Sequence, residues 1–97
     1  MEVKKEGNRL TVTPEGKINI RTVDDFAAAF NDLDGITEIV VDMANVDYIS
    51  SSGLRVILML QQKMNDVGGS VEYANVQQAV SEVFRVSGFS SLLKIRK

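Results

Sequence analysis

The 97-residue chain carries eleven basic and thirteen acidic side chains, for a formal net charge of -2. Hydrophobic residues make up 44% of it and charged residues 25%, which is typical of globular domains and excludes the disordered and fibrous classes. The chain has no cysteine and no histidine, so disulfides, thiolate nucleophiles, imidazole zinc ligands and Ser-His-Asp triads are excluded.

The length and the distribution of charge predict one domain spanning residues 1–97 and limit its partners. Basic residues are scattered, with no run that could neutralise nucleic acid phosphates. No apolar stretch approaches the roughly 20 residues of a membrane span, and residues 1–7 are polar, unlike a signal peptide. We therefore expect a cytoplasmic protein that binds neither nucleic acid nor membranes.

Short alternating segments open the chain. Residues 3–5 and 10–12 flank the turn formers Gly7 and Asn8, which predicts an N-terminal β-hairpin. Residues 18–20 alternate between apolar and polar, which predicts a third short strand.

A first helix is predicted from Thr22, with Asp25 three residues later as a variant capping box. We expect it to end at Asp34-Gly35. Its apolar face is predicted to contain Val23, Phe26, Phe30 and Leu33.

The β-branched run at residues 39–41 is the predicted central strand, buried on both faces between helices. Val71 and Tyr73 alternate in a further strand. Residues 92–97 alternate weakly, which leaves open a final edge strand or a frayed end.

Two later helices complete the pattern. One is predicted from Gly53 to the glycine pair at 68–69, and the other is capped by Asn75 with Gln78 and closed by Gly88. The inward positions are Gly53, Val56, Ile57, Leu60, Met64 and Val67 on the first, and Ala79, Val80, Val83 and Phe84 on the second. Strands alternating with helices predict an α/β fold: a mixed sheet of four to five strands with an N-terminal hairpin, packed with about three to four helices.

Residues 46–54, which join the central strand to the longest helix, include three consecutive hydroxyls at Ser50, Ser51 and Ser52. One interpretation is that a serine only caps the helix. The other is that a phosphate esterified to a serine is stabilised there, because a helix N-terminus offers unpaired N–H groups and partial positive charge.

The run Ile49-Ser50-Ser51-Ser52-Gly53-Leu54 resembles the D-S-S/T-G-L signature of STAS domains (sulfate transporter and anti-sigma factor antagonist). The similarity continues along nearly the whole chain, in the same order and spacing. The matching pieces are Gly16-Lys17-Ile18-Asn19, residues 39–42, Val67-Gly68-Gly69, Val83-Phe84 and Ser87-Gly88-Phe89.

The resemblance implies a STAS-type fold and an anti-sigma factor antagonist that is not an enzyme and uses no cofactor or metal. By position, Ser51 is the phosphoacceptor and Ser52 the alternate. The implied partners are an anti-sigma factor with serine kinase activity and a serine phosphatase. Phosphorylation ends the binding to the anti-sigma factor, and the phosphatase restores it. The chain itself is expected to be a monomer or weak dimer. The expected partner-binding residues are Asn19, Ser50, Ser51, Ser52, Gly53, Leu54 and Leu58.

The chain departs from the family pattern at two places. Ser50 stands where the motif has aspartate, and Asn19 where the third strand has an acidic residue. Both replacements remove carboxylates beside the phosphoacceptor, so a second interpretation stays open: a scaffold or sensor-complex subunit that binds partners without phosphate control.

Other interpretations depend on single residues. Asp42, after the central strand, invites comparison with a receiver-domain phosphoacceptor, but the earlier strand lacks the acidic residues that would hold magnesium. Asp47, Asp66 and Glu72 are scattered, and no glycine-rich nucleotide loop accompanies them, which disfavours an enzyme. Leu54 and Leu58 lie off the main helical arc, so they either pack on neighbouring elements or form a patch where a partner docks.

Overall fold

A five-stranded mixed sheet forms the centre of the computed structural model, which describes residues 1–96. The strands are β1 (Glu2–Glu6), β2 (Arg9–Thr13), β3 (Glu15–Ile18), β4 (Glu38–Asp42), β5 (Asn45–Ile49), β6 (Ser70–Ala74) and β7 (Lys94–Arg96). The helices are α1 (Val23–Ala28), α2 (Ser51–Asp66), α3 (Gln78–Val86) and a 3-10 turn (Phe89–Ser91). No helix in this described part is both long and apolar enough to cross a membrane.

The strand order is β1-β2-β4-β6-β7. The predicted hairpin is confirmed, because β1 and β2 pair antiparallel, and the remaining neighbours pair in parallel. The predicted central strand is also confirmed as β4, with β2 on one side and β6 on the other. Of the two possibilities for the tail, the structure has the edge strand, β7.

Burial of β4 on both faces was predicted, and this is wrong. Ile39 and Val41 are fully buried, whereas Val40 between them is only partly buried. The face that Val40 shares carries ion pairs across the strands, including Arg9 with Glu38 at 2.6 Å. Charged side chains of this kind keep their water, so this face of the sheet needs no helix to cover it.

A strand that the sequence did not predict, β5, pairs in parallel with β3 in a separate two-stranded sheet. Its buried residues, Val46 and Ile49, are three positions apart, and the pairing register shifts between Gly16 and Lys17. A bulge of this kind breaks the two-residue alternation by which strands are recognised. The third strand ends at Ile18, so the prediction that it includes residue 20 is wrong.

Helix α1 ends at Ala28 rather than near Gly35, which corrects the predicted length. The chain continues in tight turns, so Phe30 still reaches the core and meets the Phe26 ring edge-on at 5.3 Å without being helical. The predicted capping box is also wrong. Thr22 occupies the N-cap position but makes no capping hydrogen bond, because its hydroxyl accepts from the Asn19 backbone N–H at 2.9 Å instead and donates to the Lys17 carbonyl at 2.7 Å.

The ends of the later helices also differ from the predictions. Val67 lies beyond the last turn of α2 and is 65% exposed, and Ala79 faces outward from α3. Gln77, not Asn75, precedes α3. Asn75 adopts a positive φ of 56° and donates its side-chain N–H to Asp42 at 3.1 Å, so it ties β6 to β4 instead of capping a helix.

Candidate functional site

The N-terminus of α2 lies beside the end of β3. Strands β3 and β5 run parallel, so their carboxyl ends meet at one edge, with Ile18 in register with Ile49. The backbone N–H of Ser50 donates to the Ile18 carbonyl at 2.8 Å, which fixes the start of α2 against the turn that follows β3. The fold therefore brings together Asn19 and the serine run, which lie about thirty residues apart in the sequence.

Ser50 is the N-cap of α2, and the helix begins at Ser51, two residues before the predicted start. Ser50 has an extended backbone (φ -91°, ψ 175°), and its hydroxyl accepts a long hydrogen bond, 3.5 Å, from the Gly53 N–H. Ser51 is exposed and Ser52 is half-buried. The N–H groups of a first helical turn have no partner inside the helix, so this turn presents both hydroxyls and free donors.

Gly53 sets the closeness of this packing. A Cβ atom at this position would lie 2.7 Å from Ile49 Cγ1 and 2.8 Å from Ile18 Cγ2, closer than carbon atoms pack. Only glycine lets the first turn of α2 rest directly on the ends of β3 and β5. Gly53 is buried, so its part in the site is to position Ser51 and not to offer contact surface.

The Asn19 side chain is occupied by the turn that follows β3. Its Oδ1 accepts from the Arg21 backbone N–H at 2.9 Å, while the backbone N–H of Asn19 donates to the Thr22 hydroxyl at 2.9 Å. These bonds shape the turn that adjoins Ser50. Ile20 in this turn is 77% exposed, and it was missed as a residue of this surface because its spacing from Ile18 predicts a strand.

The surface of α2 next to Ser51 combines polar and apolar side chains. Leu54 is half-buried and packs against the core, whereas Leu58 is 39% exposed. Because an α-helix has 3.6 residues per turn, Ser51, Arg55 and Leu58 lie on one face, and all three are exposed. Arg55 was missed, although its spacing of four from Ser51 could have been read from the sequence.

Asp42, the residue compared with a receiver-domain phosphoacceptor, forms hydrogen bonds within the fold. Its Oδ1 accepts from the Ala44 N–H and from the Asn75 side chain, both at 3.1 Å. Within residues 1–96, no group of three or more acidic residues is placed to hold a metal ion. Asp42 therefore ties the end of β4 to the residue that follows β6.

Comparisons with known sequences agree with this architecture. The family model described as "Mlab, STAS domain" matches residues 1–94. A Bordetella bronchiseptica protein named as an anti-sigma factor antagonist, BtrV, is 38% identical over 61 residues, 63% of this chain and 53% of the relative. The match thus spans about half the length of BtrV. A STAS-domain containing protein of Pseudomonas aeruginosa is 29% identical over 92 residues, 93% of this chain and 90% of the relative.

Solved structures share the fold at low sequence identity. A Thermotoga maritima protein described as an anti-sigma factor antagonist superimposes with a TM-score of 0.90 at 20% identity, covering 99% of this chain and 85% of that one. The Bacillus protein SpoIIAA matches in its unphosphorylated form (TM-score 0.85, 17% identity, 99% and 87% covered). Its phosphorylated form also matches (TM-score 0.77, 16% identity, 99% and 90% covered).

Proposed function

The chain belongs to the STAS domain family, and from this membership we propose that it acts as an anti-sigma factor antagonist. In the proposed cycle the unmodified chain binds an anti-sigma factor that is also a serine kinase, and phosphorylation of Ser51 ends that binding. The names of BtrV and SpoIIAA support the role. The chain would act in the cytoplasm, by binding and not by catalysis.

One observation carries the proposal: Ser51 is exposed in the first turn of α2, while the neighbouring Ser50 supplies the cap. A phosphate on Ser51 would meet the positive end of the helix and its free N–H groups. It would leave the Ser50 cap and the buried Gly53 contact in place. Modification at this position would therefore change the surface and preserve the fold.

The proposed modification is an ordinary phosphoryl transfer. The Ser51 hydroxyl oxygen forms a bond to the γ-phosphorus of ATP, the bond from that phosphorus to ADP breaks, and the hydroxyl proton passes to a base of the kinase. A phosphatase reverses the state by hydrolysis, in which water takes the phosphoryl group and the serine hydroxyl regains a proton. This chain supplies only the acceptor hydroxyl and its presentation.

The charge of the phosphate explains why binding would end. Phosphoserine carries about -1.5 to -2 charges at neutral pH. Facing a partner carboxylate at about 4 Å, each unit charge pair costs about 4 kcal/mol at an effective dielectric constant near 20. A cost of that size weakens binding roughly a thousandfold.

Intact-mass measurement on protein purified from its native host tests the modification. We expect an added mass of about 80 Da, the mass of one phosphoryl group. Ser51→Ala should abolish the addition, and Ser52→Ala, the matched control one position along, should keep it. An addition that survives Ser51→Ala would refute the assignment of Ser51.

A pull-down from the same host tests the binding. Wild type and Ser51→Ala should recover the anti-sigma factor kinase, whereas Ser51→Asp should recover much less of it. Equal recovery by Ser51→Asp and wild type would refute control by charge.

A scaffold without phosphate control is the second candidate, because the two positions that lack family carboxylates are used in local hydrogen bonds. Ser50 caps α2, and Asn19 accepts from Arg21. Neither side chain adds the negative charge that a kinase would recognise beside Ser51. If the chain is such a scaffold, the pull-down should recover a partner, and intact-mass measurement should find no added mass under any growth condition.

A further inference from the structure

Arg55 lies one turn after Ser51 on the same exposed face of α2. Residues four apart in a helix have their Cβ atoms about 5–6 Å apart, within easy reach of an arginine side chain. Within residues 1–96, no carboxylate lies within 4.0 Å of the Arg55 guanidinium. Among the described residues Arg55 thus has no ion-pair partner.

The direction of the two side chains favours their meeting. Cα–Cβ bonds in a helix tilt toward its N-terminus, so Arg55 leans back toward the turn that contains Ser51. An anion at one position and a cation four residues later is the favourable order in a helix, since it also agrees with the helix dipole. A guanidinium can bind two phosphate oxygens at once.

We propose that Arg55 is the internal counter-ion of phosphorylated Ser51. Phosphorylation would then add negative charge to the binding surface and also make the positive charge of Arg55 unavailable to the partner. The inference rests on the proposed function, since it concerns how Ser51 would control binding. In the unmodified chain Arg55 is available to a carboxylate of the partner, on the surface that it shares with Leu58. In the phosphorylated chain the phosphate holds Arg55 against the helix.

Other charged groups near the start of α2 are already paired or lie on different segments. Lys17 and Asp47 pair with each other at 3.5 Å across β3 and β5. Arg21 follows Asn19 in the adjoining turn and is exposed, and Asp24 and Asp25 occupy the first turn of α1. Arg21 is therefore the cation that could compete with Arg55 for the phosphate.

The test uses the full chain with phosphoserine incorporated at position 51 during translation, followed by a phosphorus NMR titration from pH 4 to pH 8. The second pKa of a phosphoserine without such a neighbour is near 6. Arg55 stabilises the dianion, so this pKa should be lower in the otherwise wild-type chain than in Arg55→Gln, by about 0.2 to 0.4 units, which corresponds to the strength of an ion pair four residues apart in a helix. The difference should shrink strongly in about 1 M salt, where the screening length falls to about 3 Å.

Lys63→Gln is the matched control, because it removes one positive charge from the same helix two turns farther on. Its titration should follow that of the wild type, and that of Arg55→Lys should lie between wild type and Arg55→Gln. Identical pKa values in wild type and Arg55→Gln would overturn the proposal. So would the full shift appearing in Arg21→Gln.

This titration does not depend on the proposed function. The phosphoserine is installed without any kinase, so the pairing is measured whether or not the native host modifies Ser51. If the phosphoserine pKa shifts as expected but protein from the host carries no phosphate, the pairing of Arg55 with the phosphate is supported and control of binding by phosphorylation is rejected. If protein from the host carries the added mass but the pKa does not shift, phosphorylation is supported and the role of Arg55 is rejected.

Discussion

Both ends of α2 pack closely against the rest of the protein at a glycine, Gly53 at the N-terminal end and Gly69 at the C-terminal end, yet they leave different groups exposed. At the C-terminal end the Gly69 N–H donates to Met64 and the Gly68 N–H to Asn65, so the chain's own backbone closes the helix. At the N-terminal end the Ser50 hydroxyl accepts one long hydrogen bond from the Gly53 N–H, and the other N–H groups of the first turn have no partner inside the helix.

The surroundings of the two ends differ in the same way. The C-terminal end borders a groove of about 680 Å³ whose lining is mainly apolar, and the N-terminal end presents serines and an arginine. The N-terminal end therefore has more capacity for new hydrogen bonds and charge. The C-terminal end is closed by its own backbone, whereas the N-terminal end has the exposed hydroxyl at which we propose modification.

The largest expected effect of a substitution is on partner binding. Leu58→Glu should weaken binding of the recovered partner about a hundredfold, because a carboxylate would be buried at the interface on the Ser51 face. Val67→Glu changes an exposed apolar residue at the other end of the helix and should leave binding unchanged. Titration calorimetry with both variants gives the two constants. Equal losses would show that the docking surface is not confined to the Ser51 face.

The next largest effect is on stability, when a side chain is added at Gly53, where the N-terminal end of α2 packs closely on the strands. Gly53→Ala should lower the free energy of unfolding by about 2 kcal/mol, because overpacking against Ile18 and Ile49 exceeds the helix propensity that alanine gains. Gly68→Ala should cost about 1 kcal/mol, since its Cβ meets open space but its φ is +70°. Denaturant unfolding measures both. A Gly53→Ala protein as stable as wild type would mean that the first turn is not tightly seated.

The smallest expected effect separates the serine that caps α2 from the serine that we propose accepts phosphate. Ser50→Ala should cost about 0.5 to 1 kcal/mol of stability, at the low end for a cap because its hydrogen bond is long. Ser51→Ala should stay within about 0.5 kcal/mol of wild type, since its hydroxyl is exposed. Thermal unfolding of the two variants compares them. A larger loss for Ser51→Ala would assign the cap to Ser51.

Elements that repeat one pattern over several turns could be predicted from the sequence. The apolar spacing from Gly53 to Met64 runs over three turns, and all four buried residues of α2 were predicted inward. The alternation of buried and more exposed residues in β2 and β6 is similarly regular. Helix α1 was extended too far, because Phe30 keeps helical spacing in the sequence while the chain has already turned.

The position of the hydroxyl run at the start of the long helix was predicted from the sequence, and the role of Ser51 stays a prediction. Which serine caps the helix depends on where the helix begins, a boundary that spacing does not define. The close packing of Gly53 depends on β5, and β5 was not predicted because the bulge opposite Gly16 breaks its two-residue alternation. Contacts across elements of this kind exist only after folding.

The most direct test of the central claim measures how tightly the recovered anti-sigma factor partner binds two forms of the full chain. One form carries phosphoserine at position 51, and the other is unmodified. We predict a dissociation constant at least a hundredfold higher for the phosphorylated form, with unfolding temperatures that agree closely. Equal dissociation constants for the two forms would contradict the account.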